Sequence, residues 1–451
     1  MTTLRTRRRG FQDFPTGPRS LALFDEEQRF LIPGLQSIAL FSRIALDRGR
    51  GSILVDEDGR EYIDFSAGIG VASIGHAHPD YVRRLSEQLA RISVGSFTTR
   101  ARLHFARTLA TITPGELDRV QLYSSGAEAV EAAIRLAKSR TKKFEIVGFW
   151  GGFHGKTGGV LGALGSDFKW GLGPLMPGLY LSPYPNAYRC PFGERKPHDC
   201  AGHCLDFLRS MIRLETTGSV AAIIAEPIQG TSGNVLPPDG FLRGLREIAD
   251  EFGALWISDE MITGFGRTGR WFGCQHETAL PDILTIGKGM AGGFPISGVV
   301  TTADIAQSLP FAKPSGSSSS YGGNPLACAA AAATLDILRA EGLVERSRAA
   351  GGRLLRRLRE MQRRFDFIGD VRGRGLMIGV ELVTDRRSQE PLSKEICRAL
   401  FAEALRRGLL ALSYSHAIRI NPPLNIPDEL SDRGADILEE SFAAIQKRFG
   451  L

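Results

Sequence analysis

Apolar and polar positions alternate along Ser52-Ile53-Leu54-Val55-Asp56-Glu57-Asp58-Gly59-Arg60-Glu61-Tyr62-Ile63-Asp64-Phe65, with an Asp-Gly pair in the middle of the run. Alternation on both sides of such a pair predicts a β-hairpin. Beyond Gly75-His76-Ala77-His78-Pro79 the pattern changes. Stretches of helical period alternate with short apolar runs at 120–123, 144–149, 221–225, 254–258, 283–286 and 298–301. Short runs without a polar face read as strands buried on both sides, so the fold class predicted is α/β, with a large, doubly wound, mostly parallel sheet.

An alanine-rich helix predicted over 326–339 leads out of this large domain into a smaller α/β domain that begins near Gly342. Its signs are a strand pair opened by glycines, Val371-Arg372-Gly373-Arg374-Gly375-Leu376-Met377-Ile378-Gly379-Val380-Glu381-Leu382, and a closing helix over 428–449. The organisation expected is an N-terminal arm (1–32), an N-terminal part of the small domain (33–75), the large domain (76–341) and the C-terminal small domain (342–451). The chain has no internal repeats, and its one low-complexity stretch is Ser315-Gly316-Ser317-Ser318-Ser319-Ser320.

With 451 residues, 43% of them hydrophobic, the chain can bury two cores. No apolar run approaches the roughly 20 residues of a membrane helix, and the start lacks a secretory apolar segment, so a cytoplasmic location without a membrane partner is expected. Arg7-Arg8-Arg9 reads as part of a disordered or subunit-crossing arm. A net charge of +7 raises nucleic acid as a partner. The basic residues beyond the arm are mixed with acidic ones, which argues against it. Arg353, Arg356, Arg357, Arg359, Arg363 and Arg364, interleaved with Glu360 and Asp366, read as a solvated helix face. Cys190, Cys200 and Cys204 share a loop with His198 and His203, a zinc-like set that lacks a Cys-x-x-Cys pair and is therefore read as structural, with no metal.

Two apolar runs end in chemistry. Ala254-Leu255-Trp256-Ile257-Ser258 is followed by Asp259-Glu260, and Leu284-Thr285-Ile286-Gly287 by Lys288-Gly289. A lysine and a carboxylate at neighbouring strand ends match the needs of pyridoxal phosphate. Its aldehyde requires an amine to hold it as a Schiff base, and its pyridine nitrogen an acid to keep it protonated. Ser124-Ser125-Gly126-Ala127-Glu128 opens a helix whose apolar positions are Val130, Ala133, Ile134 and Ala137. Free N–H groups there suit a phosphate, and the same residues suit a plain N-cap.

These residues, with Ala221-Ala222-Ile223-Ile224-Ala225-Glu226-Pro227-Ile228-Gln229-Gly230, Thr263-Gly264-Phe265-Gly266-Arg267-Thr268-Gly269, Tyr321-Gly322-Gly323-Asn324-Pro325 and Arg419-Ile420-Asn421-Pro422-Pro423-Leu424, resemble the class III, or omega-type, pyridoxal phosphate-dependent aminotransferases. The resemblance runs from about residue 33 to the C-terminus and implies the fold type I transferase architecture. It implies Lys288 and Asp259 as catalytic residues that also bind the cofactor, and Ser125, Gly126 and Ala127 at its phosphate. It further implies Phe153 stacked on the ring with His154 nearby, Met261 on the opposite face, and Glu226 in the cofactor site. Ser320 matches a threonine that reaches the neighbouring subunit's phosphate, which implies a homodimer with shared active sites. Two departures stand out: Lys156 where relatives often carry arginine, and Ile262 where many carry a glutamine near the cofactor's phenolic oxygen.

Arg419 suits a substrate carboxylate, because a guanidinium binds it bidentately; an arginine before Pro-Pro serves equally in a structural salt bridge. Relatives acting on 4-aminobutyrate or ornithine often place a glutamate, which neutralises the arginine, where this chain has Thr231, so the resemblance argues against those two substrates. Its absence favours an arginine that swings aside. Gly70 in Phe65-Ser66-Ala67-Gly68-Ile69-Gly70 matches a position where some relatives place a bulky aromatic, so a roomy pocket and an amine donor larger than alanine are expected. The expected activity is ping-pong transfer of an amino group from an omega-amino or other non-α primary amine to pyruvate or 2-oxoglutarate. The alternative within the same family is an amino acid racemase, epimerase or aminomutase.

Overall fold

The computed structural model describes residues 16–451, so Arg7-Arg8-Arg9 lie outside the described residues. A helix over Pro18–Glu27 follows, with proline in its first turn. The N–H groups of Arg19 and Ser20 both donate to Asp58 at 2.9 Å, which docks this helix on the turn of the expected hairpin. The hairpin itself consists of β1 (Leu46–Arg50), β2 (Ile53–Asp56) and β3 (Glu61–Asp64), antiparallel throughout. Its turn is held by Asp56, which accepts from the N–H groups of Asp58 and Arg60 and from the Tyr62 hydroxyl. Gly59 takes a φ of +81° there, a conformation open to glycine at little cost.

Seven strands build the large sheet: β4 (Arg119–Tyr123), β5 (Glu145–Phe149), β6 (Leu179–Ser182), β7 (Val220–Ala225), β8 (Leu255–Asp259), β9 (Ile283–Ile286) and β10 (Ser297–Thr301), in spatial order β4-β10-β9-β8-β7-β5-β6. All point the same way except β10, which is antiparallel to both neighbours. Every residue of β5 and β7 is buried, the all-apolar run of β7 as its sequence requires and β5 together with its first residue, Glu145. Two features go beyond the sequence reading. One is the half-buried edge strand β6, and the other is the reversal of β10. The helix over Gly126–Thr141 packs Val130, Ala133, Ile134 and Ala137 into the core, as expected from their spacing.

Pro325–Ala340 forms the connecting helix, and beyond it β11 (Ile368–Arg374), β12 (Met377–Leu382) and β14 (Ala417–Ile420) make an antiparallel sheet. The short β13 (Leu409–Leu410) leaves that sheet and pairs in parallel with β3. The segment after residue 33 is thereby tied to the C-terminal part. Arg356, Arg359, Arg363 and Arg364 are exposed, as a solvated face requires, but three arginines of the set also pair with the closing helix Asp428–Phe449. Arg353 meets Asp428 at 2.5 Å, Arg357 meets Asp436 at 2.6 Å, and Arg364 pairs with Glu439. The two helices cross with complementary charge, a pairing invisible to a reading of one helix alone.

The cysteine loop is also corrected. A helix starts at Pro197 and carries Cys200 and Cys204 into the core on the same face as Leu208, Met211 and Ile212. Burial pushes the Cys204 thiol up to about 12, the inert condition of a packed cysteine. Among the described residues, no helix is long and apolar enough to cross a membrane.

Candidate active site

The carboxyl ends of β4, β5, β7, β8 and β9 open on one edge of the sheet, where α/β folds gather their functional groups. Asp259 ends β8 and is almost wholly buried. One of its oxygens accepts from the Thr285 hydroxyl at 3.0 Å and the Met261 N–H at 3.1 Å, and the other lies 2.7 Å from Nδ1 of His154. With both oxygens engaged, the carboxylate cannot turn. His154 follows β5 in the loop Gly151–Gly155, and its Nε2 is buried with no partner. Burial works against charging this imidazole, but the bond to Asp259 and the nearby Glu226 raise its pKa above the usual histidine value of 6.5.

Glu226 sits just past β7. Its two oxygens take the N–H groups of Phe153 at 2.9 Å and Gly230 at 3.0 Å, so it clamps the loop after β5 to the turn after β7. Burial raises its pKa, with Asp259 adding to the effect. Lys288 follows β9 through Gly287. Burial lowers its pKa, while Asp259 and Glu226 pull the other way and Arg419 adds to the lowering. Lys288 itself has a φ of +44°, a conformation costly for a side chain with a Cβ and typical of functional positions.

Close packing defines the gap between these groups. A Cβ at Gly287 would stand 2.7 Å from the Met261 sulfur, and one at Gly126 3.1 Å from it. The thioether therefore fills the space between the lysine turn and the start of the helix Gly126–Thr141. At Gly155 a Cβ would strike Ala127 at 2.6 Å. Ser125 caps that helix, accepting from the Glu128 N–H at 3.3 Å, while the Glu128 carboxylate takes the N–H groups of Ser124 and Ser125. This turn is an N-cap, and its capping box involves neither the Gly126 nor the Ala127 amide. Phe153 is partly exposed beside Phe168, over which the Lys156 ammonium lies 4.1 Å from the ring centre.

At the other end of the gap Gly70 is buried at φ +76°, and a Cβ there would come within 3.2 Å of Ile262. Ile262 in turn packs with Ile228 and Met377, so an apolar wall stands where many relatives carry glutamine. Arg419 on β14 is half-buried and within electrostatic reach of Glu226 and Lys288. Thr231 and Ser320 are exposed on this chain and take no part in the buried cluster. Sequence reasoning missed Thr285, whose hydroxyl fixes Asp259, and Ser297, which donates to the Ser125 carbonyl at 2.6 Å. Both are ordinary strand residues, and only the register of β8, β9 and β10 brings them to the site.

The Aminotransferase class-III family model matches residues 38–442. The chain belongs to the class III aminotransferase family. Among similar proteins, an alanine/serine racemase of Pyrococcus horikoshii is 36% identical over 95% of this chain and 91% of its own. A probable 4-aminobutyrate aminotransferase of Bacillus subtilis is 36% identical over 88% of this chain and 92% of its own. A solved (S)-enantioselective omega-transaminase from Thermomicrobium roseum superposes with a TM-score of 0.87 at 33% identity, covering 95% of this chain and 98% of that one. This class III aminotransferase is pyridoxal phosphate-dependent and has the fold type I architecture. The residues present fit that cofactor. A lysine with a lowered pKa, a fixed carboxylate, an unpartnered buried imidazole nitrogen and a gap lined by glycines that admit no Cβ all meet in one cleft.

Proposed function

We propose that this chain is a homodimeric transaminase that moves an amino group from an omega-amino or other non-α primary amine to a 2-oxo acid, pyruvate or 2-oxoglutarate, by a ping-pong mechanism. The observation that carries the reading is the convergence of a half-buried Lys288 on the buried Asp259, His154 and Glu226, with a half-buried Arg419 within electrostatic reach. Bound pyridoxal phosphate would supply the electron sink for carbanion chemistry at the substrate carbon. Lys288 would hold the cofactor and move the proton at Nζ; its lowered pKa favours the neutral amine that acts as a base. Asp259 presents a carboxyl group that cannot reorient, fixed by Thr285, Met261 and His154.

The amides of Gly126 and Ala127, with Ser125, would take the phosphate. Phe153 and Met261 would flank the ring, and Glu226 would keep the Phe153 loop in place. Arg419 would receive the carboxylate of the oxo acid, with Gly70 and Thr231 shaping the substrate end. Support for a dimer comes from exposed large side chains, Phe97, Trp170 and Tyr321, the last adjoining Ser320, which would reach the partner's phosphate.

A second reading rests on the racemase of Pyrococcus horikoshii. Returning the proton to the substrate carbon, instead of delivering it to the cofactor, would give a racemase from the same residues. Purified protein is incubated with a panel of primary amines, and its cofactor is then extracted and separated by chromatography. Conversion to pyridoxamine phosphate, reversed by pyruvate or 2-oxoglutarate, is the expected result and names both substrates. Interconversion of amino acid enantiomers without that conversion would replace the transaminase reading with the racemase one.

A further inference from the structure

Four consecutive residues after the hairpin take left-handed backbone: Ala67 at φ +45°, Gly68 at +60°, Ile69 at +67° and Gly70 at +76°. A Cβ in that conformation crowds the following carbonyl oxygen, and a β-branched side chain such as that of Ile69 is rarely found there. Such a turn persists only where its surroundings hold it. What holds it is Asp64, wholly buried at the end of β3. One of its oxygens accepts from the Ser66 N–H at 2.8 Å, the Ser66 hydroxyl at 2.9 Å and the Ala67 N–H at 2.8 Å. The other lies 2.8 Å from Nε2 of His76, whose backbone is bonded in both directions to Gly51. One carboxyl group thereby ties the entry of the turn to a residue beyond its exit. The turn itself lies against the lysine. Ser73 donates to the Gly289 carbonyl at 2.7 Å, and a Cβ on Gly289 would stand 3.6 Å from the Gly70 carbonyl oxygen. Lys288, one residue earlier, is also left-handed at +44°.

We propose that Asp64 is a positioning residue: its carboxyl group holds 67–70 in the left-handed turn, and the turn braces the backbone that aims Lys288 into the cleft. This rests on the reading of Lys288 as the amine that holds pyridoxal phosphate. A carboxylate suits the task, because one of its oxygens accepts several short bonds at once, and charge-assisted bonds are about twice as strong as neutral ones. Three such bonds at the start of the turn offset the cost of its two residues with a Cβ. Without them Ala67 and Ile69 are free to return to right-handed or extended backbone, and the Gly70 carbonyl leaves Gly289.

The test uses the holoenzyme of the wild type, Asp64→Ala, Asp64→Asn and the double variant Asp64→Ala with Ala67→Gly, and Lys288→Ala as the control for the cofactor. Two quantities are measured: hydrogen–deuterium exchange of the amides of 66–73 and 287–291, and the rate at which dialysis removes the visible absorbance band of bound pyridoxal phosphate. Asp64→Ala is expected to speed exchange in both segments, and loss of the band, about tenfold or more. Asp64→Asn keeps an oxygen for the same three donors and should stay within about threefold of the wild type. Glycine at 67 removes the penalty of the left-handed backbone there, so the double variant should regain about threefold or more of the loss. A loss of packing alone would not be repaired by deleting one more methyl group. If Asp64→Ala does not fold, the double variant is expected to restore folded holoenzyme, and its failure to do so overturns the role of Asp64. Exchange in 287–291 and band retention unchanged in Asp64→Ala would overturn it too, as would a double variant no better than Asp64→Ala. A visible band unchanged in Lys288→Ala would overturn the reading of Lys288 instead, while exchange in 66–73 still reports whether Asp64 holds the turn.

Discussion

The cofactor end and the substrate end of the cleft are built differently. Around Asp259 every polar contact is doubled: two donors on one oxygen, an imidazole on the other, and Glu226 clamping the adjacent loops. Around Arg419 the described residues supply no ion pair, and Glu226 acts on it only at longer range. The first region is overdetermined, as preorganised electrostatics demand. The second leaves a half-buried guanidinium without a carboxylate partner among the described residues, which suits a site that must take two chemically different substrates in turn.

Replacing Lys288 with Ala should break the cofactor end outright. Activity is expected to fall on the order of a thousandfold or more, with loss of the protein's visible absorbance band, both read on the purified variant. Asp259→Asn keeps the shape and removes the charge, so a fall in kcat of about a hundredfold to a thousandfold is expected, and a loss below tenfold would mean the doubled contacts serve packing alone. At the substrate end Gly70→Phe should sharpen the contrast. Its side chain meets Ile262 and a positive φ, so kcat/KM for a ring-bearing amine should fall about tenfold or more relative to a short-chain amine. An unchanged ratio would remove Gly70 from the specificity wall.

The smallest effect concerns pH. Burial opposes the charged form of His154, but Asp259 and Glu226 outweigh it, and the pKa ends above 6.5 in the folded protein. A raised folded value means that the imidazolium's contribution to stability is complete below the unfolded pKa and fades as pH rises through the folded one. The melting temperature of the wild type should therefore exceed that of His154→Asn by most in mildly acidic buffer, and the gap should narrow above neutrality. A gap that widens with pH would mean that His154 is neutral when folded.

Much of this was legible in the chain because apolar runs announce buried strands. Those at 254–258 and 283–286 end beside the groups that matter, so Asp259 and Lys288 could be read directly, whereas Glu226 was indicated only by the family resemblance. The edge strand Leu179–Ser182 was not legible, because half-burial leaves it a mixed pattern, and the reversal of Ser297–Thr301 was not, because an apolar run carries no direction. Thr285 and Ser297 carry no motif. Each acts across a distance that only strand register or loop closure defines.

By itself the sequence determined the sheet-rich α/β class, the order of the elements and the identity of the lysine and carboxylate, since these follow from local periodicity and from residue chemistry at strand ends. Only the tertiary structure decided who partners whom. It gave Asp259 its histidine and threonine, moved two cysteines from a loop to a helix core, and paired Arg353, Arg357 and Arg364 with the closing helix. The physical reason is that burial and pairing depend on what arrives from elsewhere in the chain, and neither periodicity nor composition encodes the distance.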